Sequence, residues 1–262
     1  MIIRKEANGE LTLIPQTDHS RFVGQLAAHW GNGDFAPLQP YESVVRAATF
    51  HDYGYLKWEP DPDIDATSGE PYQFRSMPFS MRQLDAYQWC VDWLYSIDPY
   101  SGVLVSRHRT GLWKGRYGTI TYPTAFNPPN LHPEISAFIE RNENWQAEAL
   151  NGGSDARATF PTNYRLLQVW DLLGLYFGCQ EPCDDYIEPV PTTYGADDPG
   201  LKMSMHPTGD GRVVFDPYPF DRRGLKVQIA SRRVPQSSFE SVEAFRRAFY
   251  QAELGLLEYT LE

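Results

Sequence analysis

A histidine and an aspartate, His51 and Asp52, stand side by side at the end of an apolar stretch that breaks at Gly54. Val44, Ala48 and Asp52 are four residues apart, so they share one face of a predicted helix. That face should point into a core, and a buried charge without a partner costs on the order of several kcal/mol. A metal ion would satisfy the adjacent imidazole and carboxylate together. The alternative is a helix end in which His51 complements the helix dipole and Asp52 caps a turn, and the pair alone favours this alternative.

Three further residues of metal-ligand type fall on apolar helical faces. His19 lies at the centre of the apolar stripe of residues 18–30, and His108 lies near the apolar face of a later helix. Asp171 sits in the middle of the most apolar segment, residues 161–177, with no basic residue within a helical turn. Each has a structural alternative of its own: a hydrogen-bonded core histidine, a core-edge histidine, or a buried salt bridge.

Taken together, these groups favour a metal site inside a helical core. Ligand-type side chains on four helices of one core are typical of metal sites in bundles. Neutral imidazoles and carboxylates suit Zn, Fe, Mn or Ni, as one or two ions. An open position on such an ion would carry a water with a lowered pKa, able to attack phosphorus.

Two arginines and one acidic segment could serve the same site. Arg107 and Arg109 flank His108, and they would either hold a substrate anion or lie solvated at the core edge. Residues 59–71 are acidic and rich in proline. They are predicted to form a solvated loop, with a lid over the site as the alternative.

The segments that must position these groups are mostly helical. Asp98 and Pro99 are predicted to end one helix and begin the next. The chain is therefore predicted to be a single, mainly α domain over residues 1–262. Its helical bundle spans about residues 18–180, and a small antiparallel β elaboration is formed by the N-terminal hairpin (1–15) and the C-terminal strands (186–262). Helices are predicted at residues 18–30, 42–52, 80–97, 99–113, 133–150, 161–177 and 241–258, and residues 116–130 are predicted to be irregular.

Composition limits the classes of partner. The chain has 262 residues and a net charge of −11, which argues against nucleic acid or an anionic membrane as the main partner. A small-molecule substrate, phosphorylated or not, is compatible with this charge, and homo-oligomerisation stays open. Three cysteines at low density indicate a reducing compartment. Because no long apolar run and no signal peptide is visible, a cytoplasmic protein is predicted.

The ordered set of motifs resembles the HD-domain superfamily of metal-dependent phosphohydrolases, in a divergent bacterial branch. DHSRFVGQLAAHW, VVRAATFHDYGY and RLLQVWDLLGLYF match its pattern in order, and SRHRTGL adds a histidine. The resemblance covers roughly residues 18–177 and implies an HD-like helical bundle. It implies His19, His51, Asp52 and Asp171 as the metal ligands. His108 would bind a second metal or the phosphate, or act as an acid or base.

One departure concerns the phosphate. Many superfamily members have Gly-Lys just after the doublet, whereas Tyr55 follows Gly54 here. Arg107, Arg109 and Lys114 are therefore predicted to take over the contact with phosphate.

The function predicted is a metal-dependent hydrolase that cleaves a phosphoester with a metal-activated water. His108, Asp52, Arg107 and Arg109 would be its catalytic residues. Two alternatives are a non-catalytic metal-binding or regulatory module and a di-iron oxygenase of the same superfamily.

Overall fold

The computed structural model of the chain describes residues 1–114, 131–151 and 154–262. The segment 116–130, predicted to be irregular, lies outside the described residues. The helices are α1 (Gln16–Ala28), α2 (Tyr41–Phe50), α3 (Met81–Ile97), α4 (Pro99–Trp113), α5 (Pro133–Leu150), α6 (Ser154–Cys179) and α7 (Val242–Gln251). The strands are β1 (Ile2–Lys5), β2 (Leu11–Ile14), β3 (Asp185–Val190), β4 (Leu201–Gly209), β5 (Arg212–Asp216), β6 (Leu225–Val234) and β7 (Leu254–Leu261).

The strands form one curled, mixed sheet that resembles half a barrel. Their order is β1-β2-β6-β7-β5-β4-β3. Neighbouring strands are antiparallel, except that β5 and β7 run parallel. With 46% helix and 21% strand, the prediction of a mainly α, HD-like helical bundle with a small antiparallel β elaboration is wrong.

The physical reason is that the sheet supplies a large part of the core, so the helices do not pack only against one another. Phe177 of α6 packs against Phe22 of α1, with ring centroids 5.5 Å apart, and against Tyr259 of β7 at 4.6 Å. One hydrophobic cluster contains side chains of α1 and α6 together with side chains of β4, β5, β6 and β7. Apolar periodicity shows that a helix face is buried, but it does not show whether the partner is a helix or a sheet.

The C-terminal segment gives a second correction. The helix predicted over residues 241–258 ends at Gln251, and the chain then enters β7. Ser241 caps α7 by accepting a hydrogen bond from the backbone N–H of Ala244. β7 pairs with β6 from Leu254 to Leu261. Pairing with a strand far away in the sequence therefore decides a conformation that local preference leaves open.

The ends of the site-bearing helices follow local sequence rules. Asp98 accepts a hydrogen bond from the backbone N–H of Tyr100, and Pro99 occupies the first turn of α4, which confirms that prediction. α6 begins earlier than predicted and contains Pro161 within it. Among the helices of the described residues, none combines the length and the apolar character needed to cross a membrane.

Candidate metal centre

Four helices bring the predicted ligand residues to one buried place. His19 comes from α1, His51 follows the last turn of α2, His108 comes from α4 and Asp171 from α6. Their exposed fractions are 1%, 3%, 1% and 5%. Imidazole and carboxylate groups of this kind therefore meet inside the protein and away from bulk water.

The carboxylate of Asp171 lies at the centre of this cluster. Its Oδ1 is 2.8 Å from His19 Nε2 and 3.4 Å from His51 Nε2. Its Oδ2 is 3.6 Å from His108 Nε2. One ligand atom from each of His19, His51 and Asp171 lies within 4.8 Å of the other two. These three residues could hold a metal ion, which confirms the coarse form of the sequence prediction.

The hydrogen bonds of His51 leave the correct nitrogen for a metal. Its Nδ1 is 2.8 Å from the carbonyl oxygen of Ala48, and because that oxygen can only accept, Nδ1 must carry the hydrogen. Ser20 Oγ donates to the carbonyl of Thr49 and lies 3.2 Å from the same Nδ1. His51 Nε2 makes no regular hydrogen bond within the described part of the chain. When the ring is neutral, Nε2 therefore presents a lone pair to the cluster, as a metal ligand requires.

The electrostatics of the cluster favour a bound cation. Burial alone would raise the pKa of Asp171, but the imidazoles of His19 and His51 beside its carboxylate hold that pKa well below its usual range. Burial lowers the pKa of His108 to about 3 against the opposing effect of Asp171, so His108 is neutral at pH 7. Burial also lowers the pKa of His51, but Asp52 and Asp171 outweigh it and the net pKa is raised. A metal ion would have to displace that proton, because ligation needs the neutral ring.

Asp52 lies at the edge of the cluster and is engaged by other partners. Arg109 Nη2 donates a hydrogen bond to its Oδ1, and Gln16 Nε2 donates to its Oδ2 at 3.2 Å. The same Oδ2 is 3.6 Å from His51 Nε2. Asp52 is not part of the three-residue group that could hold the ion. The ligand role that the resemblance implied for it stays a prediction.

The two arginines of α4 separate to opposite sides of the helix. Arg109 is 8% exposed, and its guanidinium carbon lies 3.9 Å from the ring centroid of Tyr87. Arg107 is turned toward α5, where its Nη1 lies 3.3 Å from Glu143 Oε1. Residues two apart on a helix do not share a face. The structure therefore brings Arg109 to the cluster and leaves Arg107 outside it.

The acidic segment packs against the C-terminal part of the chain. Tyr250 donates a hydrogen bond to the carbonyl of Pro60, and Arg246 Nε donates to the carbonyl of Pro62 at 3.0 Å. Ile64 is buried in a cluster with residues of α7. Residues 60–64 of the segment are therefore held against α7.

Gly174, which packs against His19, and Glu59, which holds the start of α1, are hard to recognise from the sequence. A Cβ built on Gly174 of α6 would lie 2.4 Å from Cε1 of His19 and 2.8 Å from Cγ2 of Val23. Glu59 is buried, accepts from the backbone N–H groups of Gln16 and Thr17, and accepts from Thr17 Oγ1 at 3.1 Å. For Gly174, the sequence shows only a glycine inside an apolar helix. Glu59 is one of several acidic residues in the segment 59–71, and nothing in the sequence distinguishes it from the others.

Glu59 should matter for stability because it caps α1 from 43 residues away. Glu59→Ala leaves the first N–H groups of α1 without a carboxylate, and we expect a loss of about 2 kcal/mol in the free energy of unfolding. Glu42→Ala is the matched control, because Glu42 is an exposed acid in the first turn of α2. Its effect should stay within about 0.5 kcal/mol. Urea unfolding measures both, and equal losses would show that Glu59 does not cap α1.

The model of the family described as "Protein of unknown function (DUF3891)" matches residues 1–236. The chain therefore belongs to this family. No curated protein and no solved structure matches the chain.

Proposed function

We propose that this member of the DUF3891 family is a metal-dependent hydrolase that cleaves a phosphoester with a metal-activated water. The observation that carries the proposal is the meeting of two imidazoles and a carboxylate, from His19, His51 and Asp171, in one buried cluster. Arg109 lies beside this cluster, because its guanidinium pairs with the carboxylate of Asp52 at the edge of the cluster. A metal ion and an arginine side by side are the groups that a phosphoester needs, since its charge must be held and its phosphorus attacked.

The donor set supports a transition metal. Imidazole ligands suit Mn, Fe, Zn or Ni, whereas Ca and Mg prefer oxygen ligands alone. When bound, such an ion supplies a nucleophilic water at neutral pH and stabilises negative charge on the substrate oxygens. The two oxygens of Asp171 face different imidazoles, His51 and His108. This arrangement supports one ion at His19, His51 and Asp171, with His108 turned toward the place for a second.

Arg109 is proposed to bind the substrate anion. It makes one hydrogen bond, to Asp52, and its other guanidinium N–H groups make none with the residues that the structure describes. A planar guanidinium that keeps free donors can bind phosphate in a bidentate manner. Arg107 pairs with Glu143 instead, so the proposal assigns the anion to Arg109 alone.

Asp52 and His108 take different roles in this proposal. Asp52 is an acceptor held in place by Arg109 and Gln16, and it can take the proton of the attacking water as a general base. His108, with a pKa lowered to about 3 by burial, is a neutral imidazole at pH 7 and lacks the acidic imidazolium proton that a general acid donates. A ligand role therefore suits His108 better than the role of general acid.

The test compares two equal substitutions on α4. The full chain, purified without a polyhistidine tag, is loaded with Mn, Fe, Zn or Ni and assayed for phosphate release from aryl phosphates and nucleotides. Arg109→Lys keeps a charge beside Asp52 but loses the planar fork, so kcat/KM should fall at least about tenfold. Arg107→Lys should change it by less than about twofold. Metal content should be the same in both variants.

Three results would contradict the proposal. Loaded protein that releases phosphate from no substrate and binds no vanadate would remove the hydrolase. Equal losses in the two lysine variants would remove the anion role of Arg109. About two irons per chain with oxygen uptake would favour the oxygenase instead, since the carboxylate of Asp171 faces imidazoles on both sides.

A further inference from the structure

We propose that the cavity between α6 and strands β3 and β4 binds an α-amino acid with an apolar side chain. This inference does not rest on the proposed function, because none of the residues that line the cavity belongs to the metal cluster. The cavity has a volume of about 190 Å³. Its walls include Leu172, Leu175, Ile187 and Met205, so its interior is apolar.

Size limits the ligand to a small molecule. Drug-sized ligands occupy pockets of about 300–1,000 Å³. Since a water molecule takes about 30 Å³ of liquid volume, this cavity has room for roughly six groups of that size. A leucine-sized side chain with its Cα fits this limit, whereas a nucleotide or a sugar phosphate exceeds it.

Two opposite charges stand in the lining of this apolar space. Arg75 is exposed and makes no hydrogen bond or ion pair with any residue in the described ranges. Asp185 is half-buried, and within the same ranges its carboxylate accepts only from the backbone N–H of Tyr186, at 2.8 Å. The two side chains do not pair with each other. One unpaired cation and one unpaired anion beside an apolar cavity complement a zwitterion, with its carboxylate at Arg75 and its ammonium at Asp185.

Other ligand classes fit less well. A simple anion would meet Asp185 beside Arg75, and a simple cation would meet Arg75. A neutral apolar molecule would make no ionic contact with Arg75 or Asp185, so it would lack the two strongest contacts that the lining offers. The zwitterion is the class that pairs with both charges and also fills the apolar space.

The neighbouring residue Asp184 provides a matched control. Asp184 carries the same charge one position away, but its Oδ1 lies 3.0 Å from His206 Nδ1 on the exposed surface. Asp184→Asn therefore removes an equal charge without touching the lining of the cavity. Asp185→Asn and Arg75→Gln each remove one of the two proposed contacts, and neither change breaks an ion pair within the described ranges.

Calorimetric titration of the metal-free full chain with L-leucine tests the proposal. We expect one site per chain, at least about tenfold weaker binding in Arg75→Gln and in Asp185→Asn, and unchanged binding in Asp184→Asn. 4-Methylpentanoate, isopentylamine and glycine each lack one part of leucine and should bind at least about tenfold more weakly. Leu175→Trp fills the cavity and should abolish the heat of binding.

Specific outcomes would overturn the inference. No binding of leucine at millimolar concentration by the folded wild-type chain removes the site. Equal affinity for leucine and 4-methylpentanoate removes the zwitterion, as does unchanged affinity in both charge variants. Because the readout needs neither metal nor turnover, its failure leaves the hydrolase proposal untouched, and a failed phosphatase assay leaves this site untouched.

Discussion

Asp171→Ala is expected to reduce bound transition metal from one or two ions per chain to nearly none. Asp171 supplies the carboxylate at the centre of the cluster, 2.8 Å from His19 and 3.4 Å from His51. Loss of a residue that only supports a ligand already costs roughly 10–100-fold in metal affinity, and loss of a ligand should cost more. Elemental analysis of protein purified without a polyhistidine tag measures the metal directly.

Stability gives a second reading of the same prediction. An ion that binds only the folded state stabilises it, by about 2.7 kcal/mol at a hundredfold excess over Kd. Chelator should therefore lower the Tm of the wild type and leave that of Asp171→Ala unchanged. Asp171→Asn keeps the shape of the side chain and serves if the alanine variant fails to fold.

The controls for this experiment lie on the same chain. His51→Ala should lose metal as Asp171→Ala does. His206→Ala removes an exposed histidine that faces Asp184 on the sheet and should keep full metal content. Full metal content in a folded Asp171→Ala protein would show that the ion is held elsewhere.

Gly174→Ala should have the second largest effect, although the change adds one methyl group. The new Cβ would lie 2.4 Å from His19 Cε1 and 2.8 Å from Cγ2 of Val23, and both partners are fully buried. The imidazole must move away from Asp171 to admit it. We expect a loss of about 1–3 kcal/mol in unfolding free energy and of roughly tenfold or more in metal affinity.

The same helix carries the control for this change. A Cβ on Gly178, one turn further along α6, would meet its nearest atom, Cδ1 of Ile2, at 3.4 Å. That distance is ordinary contact, and alanine is the better helix former by up to about 1 kcal/mol. Gly178→Ala should therefore keep stability and metal content. A Gly174→Ala protein that matches it in both urea unfolding and metal titration would mean that the His19 ring is not confined by Gly174.

The sequence alone indicates that His19 and Asp171 point into the core, because polar groups on apolar stripes can be recognised without a structure. His19 and Asp171 each interrupt a helical face that must be buried, so an inward direction follows from periodicity alone. Their distance from each other does not follow. It depends on how α1 crosses α6, and the same crossing makes Gly174 important.

The partners of Asp52 could not be read in the same way. Asp52 follows the end of α2, where side-chain direction is set by the 3-10 turn that begins at Tyr53. The sequence shows that Arg107 and Arg109 both flank His108. Helical periodicity alone does not determine which of the two arginines reaches Asp52. The sheet was underestimated for a related reason, since β7 gains its conformation from β6 and not from its own residues.

The position of β7 decides how the two parts of the sheet are joined. β7 links the part β1-β2-β6 to the part β5-β4-β3. It pairs with β6 along its whole length, from Leu254 to Leu261, but it pairs with β5 only near its C-terminal end, at Thr260 and Leu261 and through hydrogen bonds of Glu262. The β5–β7 boundary therefore rests on fewer backbone hydrogen bonds than the β6–β7 boundary. Local opening beside β7 is expected on the β5 side before the β6 side, because fewer bonds must break there.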